Sequence, residues 1–298
     1  MKEPSEELSN IEREEHRRVF WSIYLLDKLV SCGQHRTPAI SDEDCQVQLP
    51  CDEHAFRTGE HKKTATLDEL HKWSAESIST CGNFALALLV GSALGRCARY
   101  VLHERRRGEI PPWESTSSMA SINSFLLLVE SHLKVDEESV EDFIAANKLT
   151  SGDDGIDHQA IAHVIFARAV FHLCHILLNH PFLLRLHLPE LSDGAPPSFL
   201  SRAFRTGADH ARKLSKFLVD TANAGCQVAS SFYAYSVAVA GSLLVLHSHG
   251  VRDKMPQRHT ELEESIQHAI DTLDRMGLIW RHASKMVCIL HLPSTLMP

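Results

Sequence analysis

The chain has 298 residues, 44% of them apolar and 23% charged, with a formal net charge of −8. This is the balance of an ordinary globular protein, long enough to bury a substantial core. It excludes a strongly basic nucleic-acid module, which would present a positive face to phosphate. The one notable basic run, Arg105-Arg106-Arg107, reads as a solvated helix end, with a nuclear-import signal as the alternative. The eight cysteines show no C-x-x-C pair and no cluster that would build a tetrahedral zinc site locally. The opening MKEPSEELSNIEREE is polar and acidic, unlike a secretory signal peptide. Scattered thiols in that context predict a reducing compartment, with cysteines used as small apolar residues.

No alternating apolar and polar pattern lasts long enough to argue for a sheet, and helical periodicities separated by Gly, Pro and Ser breaks dominate. A first helix is expected from about Glu6 to Ser31, followed by a polar loop bounded by Pro38 and Pro50. A second helical region, kinked or broken, runs from about Leu67 to Glu104 and stops before Pro111-Pro112, a pair no helix interior tolerates. Met119–Leu133 reads as a helix, and VDEESVEDFIAANKL adds a short one. Asp157 is placed to cap a helix from about His158 to Asn179, closed by Pro181. Helices follow from about Phe199 to Ala222 and through the stretch from Thr221 to Gly250, which lacks Asp, Glu, Lys and Arg. Two more cover Glu261–Met276 and the segment carrying Trp280, Ala283, Val287 and Leu290. With no repeat of fixed period, the expectation is one all-α, irregular multi-helix domain over residues 1–298.

Two segments test for a membrane span. Asn83–Gly95 is too short, and the Thr221 stretch is interrupted by Asn223, Gln227, serines and tyrosines, so it reads as a helix buried in protein. No membrane partner is expected.

Several patterns invite sharper chemistry. DDGID (Asp153, Asp154, Asp157) matches the metal-holding motif of terpene cyclases, but glycines flank it and no second motif follows, so a turn with an N-cap accounts for it better. His172 and His175 stand one turn apart near Cys174 and His180. Further metal ligands are not fixed by the pattern, and a packed, partly polar helix interface is expected. SDEDC, Ser41 to Cys45, lacks the glycine and distal glutamate of a calcium loop and reads as a solvated acidic loop. Gly91 and Gly95 in an apolar helix point to close helix packing. No catalytic constellation is found.

The most telling stretch is RRVFWSIYLLDKLVSCGQHRTPAISDEDCQVQLP, Arg17 to Pro50. Apolar side chains from Val19 to Val30 nearly encircle the helix, which predicts burial all round. Asp27 is then the odd residue, and a buried carboxylate needs a cation or N–H donors. The loop that follows offers both, through Arg36 and through its backbone amides, so Asp27 is expected to tie the loop back to its own helix.

Arg17, Arg18, Phe20, Trp21, Tyr24, Asp27, Arg36, Pro38, Ile40, Asp42, Asp44, Val47, Leu49 and Pro50 together resemble the fungal transcription factor regulatory domain, the middle homology region of fungal zinc-cluster regulators. The resemblance is strongest between residues 12 and 50. LLNHPFLL (Leu177 to Leu184), Trp280 and Ala283 extend it. Lys28 stands where the family carries Arg, and His35-Arg36-Thr37 replaces its Gly-Arg-Pro. The family's six-cysteine zinc cluster is absent from these residues.

The resemblance implies a non-enzymatic regulatory domain that controls transcription by RNA polymerase II in the nucleus. DNA and zinc would belong to an N-terminal module missing from this chain. Homo- or hetero-dimerisation and transcriptional co-regulators are implied partners, and the chain itself needs no cofactor. A stand-alone interaction protein derived from such a domain is the alternative, and a terpene-cyclase-like enzyme is a third reading.

Overall fold

The computed structural model describes residues 7–32, 36–72, 82–103, 110–133, 139–146, 158–186, 195–226, 228–251 and 256–290. Their backbone polar groups are satisfied mainly by helices: α1 (Asn10–Val30), α2 (Glu53–Thr58), α3 (Leu67–Lys72), α4 (Asn83–Ala98), α5 (Ser118–Leu133) and α6 (Val140–Ala146). After these come α7 (His158–Asn179), α8 (Pro181–Leu186), α9 (Pro197–Asn223), α10 (Ser231–Val251), α11 (Pro256–Gly277) and α12 (Arg281–Leu290). A 3-10 turn covers Asp42–Asp44, and a π-helical turn, Arg99–His103, extends α4. Among the described residues no strand forms, and a lone antiparallel bridge joins Gln48 to Thr66. The all-α, irregular architecture expected from periodicity is what folds.

Local chemistry sets the helix ends. Ser9 caps α1 through a capping box: its hydroxyl accepts the Glu12 N–H, and Glu12 accepts the Ser9 N–H at 2.9 Å. The helix therefore starts at Asn10, later than expected. Asp52 caps α2 by accepting the Ala55 N–H at 2.9 Å, and Gly59, at φ +69°, ends it in the left-handed region. Gly225 does the same after α9 at φ +84°, so α10 begins at Ser231 instead of continuing from Thr221. Pro197 and Pro256 sit in first turns, where the missing N–H costs nothing.

The chain divides into two compact units, Met1–Glu104 with Ser121–Arg168, and Arg105–Ala120 with Ala169–Pro298. In the first, α1 lies along α4. The close approach depends on small residues: a Cβ on Gly91 would come within 2.6 Å of Leu25 Cδ1, and one on Gly95 within 2.9 Å of Lys28 Cδ. The close-packing role expected of these two glycines is thus seen directly.

In the second unit α10 packs against α9, α11 and α12. It buries Ala234, Val237, Ala240, Leu243 and Leu244 completely, each large aliphatic contributing about 1.5–3 kcal/mol relative to exposure. Among the described residues three helical stretches are long and apolar enough to cross a membrane: Asn83–Leu102, Ile161–Asn179 and Ser231–Gly250. The first corrects the expectation that this segment is too short, because the π turn lengthens it. Their most apolar windows are 78%, 72% and 67% buried within the chain.

Candidate functional site

The inward face of α1 is polar. Glu14, Arg17, Arg18, Trp21, Tyr24 and Lys28, spaced three and four apart, are buried. The aliphatic residues take the other side: Val19 is 59% exposed, Ile23 54% and Leu26 58%, with Val30 following. The expectation of a rod buried all round is corrected. Apolar periodicity alone left the facing undecided, and the ion pairs available to the charged stripe decided it.

Those charges tie α1 to the chain that follows the loop. Glu14 Oε1 accepts Arg18 Nε and the Cys51 backbone N–H, both at 3.0 Å. Arg18 reaches Glu53 at 2.9 and 3.1 Å, donates to the Cys51 carbonyl at 2.9 Å, and lies 4.2 Å over the Phe56 ring. Arg17 pairs with Glu14 at 3.5 Å. Trp21, fully buried, donates from Nε1 to the Gln48 carbonyl at 2.8 Å, and its ring meets Phe20 and Tyr24 edge-on. The 48–51 segment is held from the far side by Leu49 N–H to the Ala65 carbonyl and by the Thr64 hydroxyl to the Leu49 carbonyl. Burying this many charges is tolerable because Glu14 and Arg18 each have several partners.

Asp42 is the hub. Its carboxylate accepts the Tyr24 hydroxyl at 2.7 Å and the Ser92 hydroxyl at 2.6 Å. Lys28 Nζ stands 3.2 Å from one oxygen and Arg96 Nε 3.5 Å from the other. Lys28 also donates to the Ile40 carbonyl and lies over the Tyr24 ring. Burial pushes the Asp42 carboxyl upward, but Lys28, the two hydroxyls and Arg96 outweigh it, and the group is held below the usual carboxylate range. Burial, reinforced by the charge on Asp42, drives the Tyr24 phenol strongly upward, so it remains a donor. His71 bridges Ser92, at 3.2 Å, and Arg96, at 3.1 Å, with Phe125 edge-on to it. Burial, then the Arg96 charge, lowers its pKa to about 4, so the ring is neutral at pH 7.

Beside this hub opens a cavity of about 420 Å³, with Lys28, Asp42, His71 and Arg96 in its wall and Glu43, Asp68 and Arg99 at its charged margin. Its size falls in the range of small-molecule sites. The reading of Ser41–Cys45 as a solvated loop holds for Glu43 and Asp44, which are exposed, and fails for Asp42, which turns inward.

Asp27 does tie the loop back to α1: Oδ1 accepts the Ala39 N–H and Oδ2 the Ile40 N–H, both at 3.0 Å. It is half-buried, and the expected cation, Arg36, stands exposed. Of the two supports expected from the loop, the backbone amides are the ones that hold the carboxylate. Of the motif residues, then, Arg17, Arg18, Phe20, Trp21, Tyr24 and Asp42 converge on one interior face, Asp27 holds the loop, and Arg36 and Asp44 face solvent. Glu14, Lys28, Glu53, His71, Ser92 and Arg96 complete the network and were not anticipated as part of it. Only the conspicuous buried-type spacing of Glu14, Arg17, Arg18, Trp21 and Tyr24 could have hinted at Glu14.

Other motifs resolve into packing. His172 Nδ1 meets His210 Nδ1 at 3.0 Å, His175 stacks on His210 at 4.0 Å, and Phe171 lies edge-on to all three. Burial lowers His175 to about 4; His210, pressed further by its two histidine neighbours, falls to about 2. The metal-like motif is a packed histidine cluster in which His175 and His210 are neutral at pH 7. Asp153, Asp154, Asp157 and the Arg105–Arg107 run lie outside the described residues.

A structural zinc does not fit the described residues. Six of the seven described cysteines are dispersed and buried, with Cys288 exposed, and burial raises the Cys32 and Cys51 thiols to about 12. Among the described residues no three His, Cys, Asp or Glu side chains gather as a metal site.

The family model described as the fungal specific transcription factor domain matches residues 1–236. The chain belongs to that family. It is 24% identical over 290 residues to a Zn(2)-C6 fungal-type transcription factor of Fusarium oxysporum f. sp. lycopersici, covering 92% of this chain and 29% of that protein. It is 29% identical over 127 residues to an uncharacterized transcriptional regulatory protein of Schizosaccharomyces pombe, 40% of this chain and 13% of the relative. Over 46 residues it is 44% identical to an ABC-transporter-regulating transcription factor of Aspergillus fumigatus, 15% of this chain and 5% of that one. No solved structure matches. The chain thus spans under a third of the length of the first relative.

Proposed function

We propose that this chain, as a member of the fungal specific transcription factor domain family, is the regulatory domain of a longer zinc-cluster regulator, acting in the nucleus on transcription by RNA polymerase II. The observation that carries the reading is the coincidence of the matched segment with the network built on Arg18, Trp21, Tyr24 and Asp42. DNA contact and zinc belong to a module outside these residues, co-regulators are the partners, and the chain catalyses nothing.

Physically, such a domain needs an element with two packings and a ligand or partner that favours one. The 36–50 loop has the right construction. It is clipped to α1 at Asp27 by two amides and at Asp42 by a charged hub, and a cavity opens beside the hub. The outward Val19, Ile23 and Leu26 row offers an apolar face for a partner.

The test is a reporter assay in a fungal host, with the chain fused to an unrelated DNA-binding module and its site placed upstream. The expected result is a change in reporter transcription that Asp42→Asn alters while protein level is held constant. A fusion that leaves the reporter at the level of the DNA-binding module alone would overturn the reading. So would a longer reading frame containing no six-cysteine cluster.

A further inference from the structure

The second unit holds a cavity of its own, of about 400 Å³. Its walls come from the end of α9 (Leu218, Ala222), the connection at Val228 and Ala229, the last turn of α11 (Met276) and the turn that follows it (Ile279). The connection is fastened where Trp280 Nε1 donates to the Ala229 carbonyl at 2.6 Å. These walls are apolar, and the volume is that of a small-molecule site.

Among the described residues the one charged group on the lining is Arg275, which is exposed at its mouth. Its guanidinium reaches the Thr272 hydroxyl at 3.5 Å, and among the described residues no carboxylate pairs with it. Asp271, one turn back and the natural i, i+4 partner, instead accepts the Gln267 amide at 2.8 Å. The Thr272 hydroxyl donates to the His268 carbonyl at 2.8 Å, which leaves its oxygen to orient the guanidinium. An apolar chamber with one exposed cation at its edge, paired with no described carboxylate and turned by Thr272, has a definite chemical complement: an aliphatic body ending in an anion.

We propose that this cavity binds a small aliphatic carboxylic acid, its chain between α9 and α11 and its carboxylate on Arg275. A neutral alcohol of the same length would gain the apolar contacts and forgo the ion pair. An amine would set a second cation against the first. The inference is independent of whether the chain regulates transcription.

The experiment is calorimetric titration of the full chain with octanoate, 1-octanol and octylamine, with tryptophan fluorescence followed in parallel. Octanoate is expected to bind saturably at one site, about tenfold or more tighter than octanol, as a charge-assisted contact implies; octylamine is expected not to bind. Arg275→Gln should bring octanoate down to the level of octanol and leave octanol unchanged. Ala222→Leu, which adds bulk at a half-buried wall position, should abolish both. Circular dichroism melts would show that both variants fold. The proposal fails if octanoate does not saturate at ~10 mM, a Kd too weak for a built site, or if either substitution leaves its binding intact. A dimer that Ala222→Leu dissociates would assign the groove to a second copy, and would overturn it equally.

Discussion

Asp42→Asn removes one charge and almost no volume, so its cost isolates the hub. Lys28 is 1% exposed, and its ammonium has the Asp42 carboxylate at 3.2 Å and the Ile40 carbonyl as partners. Without the carboxylate, a buried ammonium and part of the Arg96 charge lose their counter-ion. Breaking one side of a buried pair costs about 3–5 kcal/mol, which for a unit of this size lowers Tm by roughly 6–20 °C. The double variant Asp42→Asn/Lys28→Met removes both charges. It should recover most of the loss, since apolar replacement of a whole buried pair is near neutral or stabilising. Urea denaturation followed by Trp fluorescence supplies the cycle. The carboxyl is held below its ordinary range, so it binds fewer protons folded than unfolded. Its stabilisation is therefore present above the unfolded pKa and lost as pH falls through the lower folded one. The wild type should show this acid loss and Asp42→Asn should lack it. A single variant costing under about 1 kcal/mol, or a double no better than the single, would refute a hub worth several kcal/mol.

The histidine stack should make the second unit acid-sensitive. His175 sits at about 4 folded against an unfolded value near 6.5, so its neutral form stabilises fully above the unfolded value and the benefit drains away as pH falls toward 4. Roughly 3 kcal/mol is at stake, and His175→Phe melts at pH 7 and pH 4.5 should show a smaller pH difference than the wild type. On α1, Ile23→Lys or Leu26→Lys should change stability by no more than about 0.5 kcal/mol, whereas Trp21→Ala should cost about 3–5 kcal/mol. Thermal melts that reverse this order would contradict the facing of the helix. Gly95→Ala places a methyl 2.9 Å from Lys28 Cδ, and Lys28 cannot yield while its ammonium is held by Asp42. The expected loss is about 1–3 kcal/mol, and it should shrink when measured in the Lys28→Met background.

Much of this protein is determined along the chain itself. The 3.6-residue periodicity and the missing alternation settle the all-α class and the longer helices, because those features act within a turn or two, whereas the short α2 and α8 and the start of α10 at Ser231 were not expected. The ordered residues from Arg17 to Pro50 likewise point to the family without a single coordinate. Which way α1 faces was beyond such reasoning. A helix with aliphatics on nearly every side satisfies the periodicity in any rotation, and the choice came from Glu14, Arg18 and Lys28 finding Cys51, Glu53 and Asp42. Tertiary structure also decided the fate of the acids. Asp27 took amides in place of Arg36, and Asp42 left its solvated loop for Ser92, 50 residues away. The physical reason is common to all of these: a buried charge is settled by partners in space, and separation along the chain carries no trace of them.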